Sequence, residues 1–320
     1  MKKLAAIKLP HTFNESLSRE NATDKWRKGI IYPINKTTRS HWNYDLKLTS
    51  PIVLLETARK IWFKILVNRL SEILTKEQVL TNTNYAALRN ESTLEPLKIV
   101  QAVIEDANKY KKEAWILLMD ISKAYDSVSS VMLKKCMERI KLPKNFINLV
   151  MDVNKNRYNR VLVNNELMDE YYIEDGIDQG EVWSPILWRI FYDALLTRLN
   201  ETKEETGYNF YEEKLINREK GETRVLEISI NAMAFMDDTT LISKNKIQLT
   251  KMIEICHQFF KINDIKANIS KYELIKINDK EKEDLIIEGE KISKVNNEKA
   301  IDILEYSSDT TIRKEFIKIK

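Results

Sequence analysis

Two adjacent aspartates interrupt an apolar run, Ala232-Met233-Ala234-Phe235-Met236-Asp237-Asp238-Thr239-Thr240-Leu241-Ile242. An ionised carboxylate is costly to bury, so such a pair belongs in a solvated turn or beside a cation. Upstream, Ile228, Ile230, Ala232 and Ala234 alternate with Ser229, Asn231, Met233 and Phe235, the two-residue period of a strand. Leu241 and Ile242 resume the apolar pattern after the polar break. The stretch therefore predicts a hairpin over 225–243 with the aspartates at its tip. Continued strand parity puts Asp237 on the more polar face, suited to gripping a metal in an open cleft. It puts Asp238 on the core-facing side, as support.

The remaining residues can build a core around such a hairpin. Of 320 residues, 43% are hydrophobic and 31% charged, enough for one large domain or two ordinary ones. Lys and Arg total 52 against 48 for Asp and Glu, a net charge of +4 that neither demands nor excludes nucleic acid. Cys136 and Cys256 offer no disulfide framework and no zinc spacing, which points to a reducing compartment. No apolar run approaches the roughly 18 residues of a membrane helix. Lys8 and Pro10 interrupt the opening residues too early for a signal peptide. The expectation is an intracellular chain, in nucleus or cytoplasm, with no membrane partner.

Residues 1–25 read as a polar, loosely patterned segment, 26–35 as a strand ended by Pro33, and 36–50 as a loop. Leu54, Ala58, Ile61, Ile65, Leu70 and Ile73 recur at helical spacing and predict an amphipathic helix with that stripe inward. Further helices are predicted over 93–110, after a Ser129–Ser130 cap, over 144–156, from Ser184-Pro185 to about 200, and over 247–262. Strands are predicted at 115–119, at 160–163 with a return after Asn164-Asn165, and at 272–277. Residues 200–223 read as a charged surface insertion, and 279–320 as a weakly packed, Lys- and Glu-dense tail. This order is α+β, an antiparallel sheet backed by helices in a split βαβ arrangement. In it, the end of the 115–120 strand and the hairpin tip become neighbours.

Asp120 closes the 115–119 strand, so three carboxylates would converge from two strand ends and repel unless cations lie between them. Mg²⁺ suits such a site, being held by one or two carboxylates plus substrate phosphates and water. Two ions about 3.5–4 Å apart can clamp the attacking and leaving oxygens of a phosphoryl transfer. Upstream of a capped helix, Gly176-Ile177-Asp178-Gln179-Gly180 sets glycines around Gln179, where a backbone can approach a ligand closely.

Leu118-Met119-Asp120-Ile121-Ser122-Lys123-Ala124-Tyr125-Asp126-Ser127-Val128 resembles the first palm motif, DxxKAFDSV, of reverse transcriptases of LINE-type (non-LTR) retrotransposons. Gly176 to Pro185 is similar to their GxxQGxxxSP motif, Phe235-Met236-Asp237-Asp238 to [FY]xDD, and Asn268-Ile269-Ser270-Lys271 to INxxK. Ser50-Pro51-Ile52, Lys60-Ile61 and Asn68-Arg69-Leu70 resemble the fingers pattern RPI…KI…xRL. The resemblance covers about 26–277. It implies a right-hand polymerase with fingers near 26–112, an antiparallel palm near 113–278, and a thumb largely missing from 279–320. The implied function is RNA-directed DNA polymerisation within a larger retroelement polyprotein, joining dNTP to a DNA primer on an RNA template. Asp120 and Asp237 would bind two Mg²⁺ ions with help from the Ile121 carbonyl, and Asp238 would support them. Tyr125 would be a steric gate against the ribose 2′-OH. Gln179 and Gly180 would line the nucleotide and template pocket. Lys271 would be the general acid for the leaving pyrophosphate.

The chain also departs from the family. Ser50 stands where the fingers Arg is usual, and Ala86-Ala87-Leu88-Arg89-Asn90-Glu91-Ser92-Thr93 lacks the glycines of GFRxGRST. Arg89 is then the one substitute contact for the triphosphate. These departures leave a second reading, an inactive relic that only binds nucleic acid.

Overall fold

The computed structural model describes residues 2–35, 49–89, 91–217, 222–279 and 284–294. The chain opens with helix α1 (Lys2–Arg19), strands β1 (Lys28–Asn35) and β2 (Thr49–Leu54), and helices α2 (Thr57–Lys76) and α3 (Leu94–Tyr110). Strands β3 (Ala114–Met119) and β4 (Ile121–Ser122) precede helices α4 (Ser130–Arg139) and α5 (Lys144–Lys155). Then come β5 (Arg157–Val163), β6 (Glu166–Leu167), β7 (Tyr171–Ile173), α6 (Ser184–Glu201) and the single turn α7 (Lys203–Thr206). Strands β8 (Tyr208–Asn217), β9 (Glu222–Ile230), β10 (Ala232–Phe235) and β11 (Asp238–Ser243) lead to helix α8 (Lys246–Ile262). The last described strands are β12 (Lys266–Ala267), β13 (Glu273–Ile277), β14 (Ile286–Ile287), β15 (Glu290–Lys291) and β16 (Ser293–Lys294).

Two compact units result, Met1–Leu80 with Lys123–Phe191, and Thr81–Ser122 with Tyr192–Lys320. The expected fingers–palm boundary near 112 falls inside the second of them. In the first unit the sheet order is β2-β1-β5-β6, with β7 also paired to β5. Pro33 lies within β1 instead of ending it, because it faces Pro51 across the β1–β2 pair, where neither residue has an N–H to donate. Asn164 and Asn165 both take left-handed φ, 50° and 64°, and close the predicted turn between β5 and β6. The α4 cap is corrected. Ser129 makes no side-chain cap, and the N–H of Ser130 donates to Asp175 Oδ1 at 2.8 Å.

The inward face of α2 also differs from the sequence reading. Ile61, Ile65 and Ile73 are exposed, while Trp62, Phe63, Leu66, Leu70 and Leu74 are buried together with Arg59. Aromatic packing decides this rotation. Trp62 lies 5.1 Å from Trp26 and 5.9 Å from Phe13, and Phe63 stacks on Trp183 at 3.7 Å between ring centroids. The same packing explains α1, where the sequence reads as polar and loosely patterned, since Phe13 is one of its residues.

In the second unit the sheet order is β10-β11-β3-β13-β16, with β3 antiparallel to both β11 and β13. The predicted antiparallel sheet is present, with β16 added in parallel to β13. A core cluster joins Val100, Val103 and Ala107 of α3 to Ile116, Met233, Ile242 and Ile275 of the strands. Helix α8 buries Leu249, Met252, Ile253, Cys256 and Phe260, and the Asn245 side chain caps it by accepting from Gln248 N–H.

Two expectations change here. The predicted insertion at 200–223 contains β8, which pairs with β9, so the 225–243 hairpin is divided at Asn231. Asn231 is buried, its side-chain amide donating to Leu199 O at 2.6 Å while its backbone oxygen accepts from Ile242 N–H at 2.7 Å. Part of the expected loose tail is also packed, with Leu285, Ile287 and Ile292 buried around the β14–β15 hairpin. Residues 36–48, 280–283 and 295–320, the rest of the predicted loop and tail, lie outside the described residues.

Candidate functional site

The register of β11 on β3 sets the site. Thr239 pairs with Met119, so one step outward places Asp238 across from Asp120. Phe235 pairs with Asp238, which leaves Met236 and Asp237 as a two-residue turn. Met236 adopts φ +56°, a left-handed conformation that a non-glycine residue holds only when its surroundings fix it. Those surroundings are well bonded. Ala234 N–H donates to Thr83 O at 2.8 Å and Tyr85 N–H to Ala234 O at 2.9 Å, so the 83–85 segment lies along β10. The buried Tyr192 hydroxyl and Thr239 Oγ1 are 2.7 Å apart, and Thr239 Oγ1 also reaches Asp237 O at 3.4 Å. Burial raises the Tyr192 hydroxyl well above the usual tyrosine range.

The polar-face and core-face distinction between the two aspartates is not found. Ala232, Met233 and Ala234 are all buried, so β10 is covered on both sides, and Asp237 and Asp238 are each half-buried. Asp237 lies in the turn and Asp238 begins β11.

Asp120 is held from a segment far along the chain. Its backbone oxygen accepts from Asn268 N–H at 3.0 Å, and its Oδ2 accepts from Asn268 Nδ2 at 2.7 Å. Lys271 Nζ lies 3.3 Å from the same Oδ2, with 57% of the lysine side chain exposed against 22% for the aspartate. The next residue, Ile121, is buried and pairs with Ala267 through β4 and β12. A 3₁₀ turn at Ile269–Lys271 brings the lysine round. The sequence offered Asn268 and Lys271 as one motif but gave no sign that both act on Asp120.

The structure thus gathers Asp120, Ile121, Asp237, Asp238 and Lys271 at one end of the second unit's sheet. Among the described residues no group of three or more His, Cys, Asp or Glu side chains forms a metal cage. Asp120 takes an amide partner from Asn268 and an ammonium partner from Lys271. The donor set still suits a hard cation. Mg²⁺ is ordinarily held by one or two carboxylates plus substrate oxygens, and Asp120 and Asp237 supply that number.

Arg89 is exposed in the second unit. Tyr125, Gln179 and Gly180 belong to the first unit. Tyr125 is half-buried in a 3₁₀ turn, its ring 6.1 Å from Trp188 of α6. Gly180 has φ +109°, and a Cβ there would lie 2.7 Å from Val53 O, so close packing on β2 by itself requires the glycine. Gly176, at φ +86°, is pressed against the Asp126 backbone in the same way.

Around Gln179 lies a charge network that sequence reading missed. Arg59 Nε donates to Glu181 Oε2 at 2.6 Å, and Arg157 Nη1 to Asp178 Oδ1 at 2.6 Å. All four side chains are almost wholly buried. Burial raises the Glu181 carboxyl above the ordinary value, against the lowering pull of Arg59. The residues lie up to 122 positions apart, and no periodic signal links them.

Residues 36–304 match the model of the reverse transcriptase (RNA-dependent DNA polymerase) family. The Pol polyprotein of the type-1 retrotransposable element R2 from Nasonia vitripennis is 28% identical over 196 residues, 61% of this chain and 17% of that protein. That of the type-2 element R2DM from Drosophila melanogaster is 25% identical, over 54% of this chain and 15% of that protein. The probable RNA-directed DNA polymerase from transposon BS of Drosophila melanogaster is 23% identical, over 58% and 20%. The chain therefore spans a fifth or less of these relatives' length. Among solved structures, apo telomerase from Candida tropicalis, truncated from its C-terminal domain, superposes with a TM-score of 0.56 at 14% identity. It covers 89% of this chain and 58% of that one. Telomerase from Candida albicans with a fragment of telomeric RNA gives a TM-score of 0.54 at 12% identity, over 88% and 47%. These structures share the right-hand fold. With its ordered motifs, this fold and a family match over most of its length, the chain belongs to the reverse transcriptases, as a domain of the kind carried by non-LTR retrotransposons.

Proposed function

We propose that this chain is the RNA-directed DNA polymerase domain of a larger retroelement polyprotein and extends a DNA primer on an RNA template. The observation that carries the reading is the meeting of Asp120 with the Asp237–Asp238 turn at one sheet end, through the β3–β11 register. Asp120 and Asp237 would hold two Mg²⁺ ions, with the Ile121 carbonyl as a further oxygen and Asp238 as support. Bound there, the ions would stabilise charge on the attacking and leaving oxygens of an in-line transfer. Asn268 fixes the rotamer of Asp120, so the carboxylate is aimed before substrate arrives. Lys271 holds an ammonium at the same carboxylate and would donate the proton to the leaving pyrophosphate. Tyr125, braced on Trp188, would exclude a ribose 2′-OH, and Gln179 would contact the templating or incoming nucleotide. The two cysteines are free and buried, which agrees with an intracellular setting.

Primer extension on poly(rA)/oligo(dT) with Mg²⁺ and dTTP tests this. Wild type should extend. Asp237→Asn should lose at least about 100-fold, since even outer-shell partners of a metal site are worth 10–100-fold. Its melting temperature should stay near wild type. A folded wild type that binds the duplex without extending it would select the relic reading. That reading is favoured by Ala86 and Asn90, which stand where the family pattern has glycines.

A further inference from the structure

Between Asp175 and Ser184 the polar side chains are committed, with one exception. Asp175 accepts from Ser130 N–H, Asp178 from Arg157, and Glu181 from Arg59 and from Val182 N–H at 2.7 Å. Ser184 Oγ donates to Asp178 O at 2.7 Å. Gln179 uses its backbone, its carbonyl accepting from Val53 N–H at 2.7 Å. Its half-exposed side-chain amide has no partner among the described residues. A primary amide can make several hydrogen bonds, so this one is left for a ligand.

The residues on both sides of Gln179 are held by guanidinium forks. Arg157 donates to Asp178, to Gly176 O at 2.6 Å and to Asp175 O at 3.1 Å, which ties three points of the loop before Gln179. Arg59 holds Glu181 after it, donates to Trp26 O, and approaches Asp178 Oδ2 at 3.8 Å. Two cations and two carboxylates balance, so the network is neutral. Its members are too buried to exchange readily with water, unlike a surface ion pair.

We infer that Arg59 and Arg157, through Glu181 and Asp178, are positioning residues whose role is to hold the Gln179 amide outward for the nucleotide or template base. The inference rests on the proposed polymerase function for the identity of the ligand. It does not rest on it for the clamp itself. Neither arginine would touch substrate.

Arg59→Met combined with Glu181→Leu removes one arm of the clamp, keeps the network neutral and keeps Arg157 on Asp178. Two readouts apply to the whole chain. Hydrogen exchange of the 176–182 amides reads the clamp without activity, and steady-state extension of poly(rA)/oligo(dT) reads KM for dTTP apart from kcat. Exchange should quicken at 176–182 and not in the second unit's sheet. KM should rise about 10-fold, within the range that small misplacements cost, with kcat changing far less. Gln179→Ala alone should raise KM similarly, and adding it to the double variant should add little. Unchanged exchange, unchanged KM, or multiplying effects of the two changes would overturn the inference. Should the double variant not fold, Glu181→Gln keeps the shape and is read identically, with smaller shifts. A wild type that never extends, but whose 176–182 exchange quickens in the variant, would sink the polymerase reading and uphold the clamp.

Discussion

The first unit holds Glu181 against Arg59, and the second holds Asp120 against Lys271, each pair joining distant parts of the sequence. In the first, the side chains are 1% and 0% exposed, and the guanidinium also serves the Trp26 carbonyl. In the second, the lysine is 57% exposed and the aspartate 22%. Coulomb attraction is screened at the second pair and hardly at all at the first. A buried fork is permanent scaffolding, because breaking it strands a charge. A solvated ammonium beside a carboxylate can move aside at small cost, and another cation can take its place. The sheet end proposed to accept substrate and metal therefore carries the loose pair, and the loop inferred to hold Gln179 carries the tight one.

The largest expected effect separates the pairs by stability. Arg59→Ala should cost about 3–5 kcal/mol in urea unfolding, as removal of one partner of a buried pair does. Lys271→Ala should cost no more than about 1 kcal/mol, the range of exposed pairs. Equal losses would break the contrast. Next in size, Asn268→Ala should lower extension about 10–100-fold by freeing the Asp120 rotamer. The stability loss there should be about 1 kcal/mol, for one hydrogen bond to a partly exposed carboxylate. A stability loss as large as that of Arg59→Ala, with activity intact, would make Asn268 scaffolding.

What the sequence made legible follows from how far each signal reaches. Ala114–Met119, the turn at Asn164-Asn165 and helix 246–262 carry their patterns locally, and each formed near its expected place. Asp120, Asp237 and Asp238 stand out because charge breaks an apolar run. The α2 face was misjudged because the helix has apolar residues on two sides, and only Trp26, Phe13 and Trp183 select between Ile61–Ile65 and Trp62–Phe63. Strand β8 was missed because Tyr208–Asn217 is polar enough to read as an insertion. Arg59, which looks like a solvated helix residue, is buried only because Glu181 waits for it. Asn268 reaches Asp120 across 148 positions. Pairings of that kind follow from tertiary packing and leave no mark on local pattern.

The smallest effect is a pH dependence of the buried pair. Glu181 has its folded carboxyl raised, with desolvation outweighing the pull of Arg59. The unfolded carboxyl ionises near about 4.3. Below that value both states hold the proton and the group has no effect. As pH rises above it, the unfolded chain releases its proton more readily than the folded one, so Glu181 lowers stability as pH climbs through this window. Glu181→Gln cannot ionise, so the wild-type minus Gln difference in unfolding free energy should shift in favour of Gln between pH 4 and 7. Arg59→Ala takes away the cation that pulls the carboxyl down, so its loss should be greatest at pH 7 and shrink toward pH 4, where Glu181 is neutral. A loss on Arg59→Ala that is the same at both pH values would mean that the arginine acts by packing on Phe63, over whose ring it lies at 5.4 Å, and that the charge pairing is incidental.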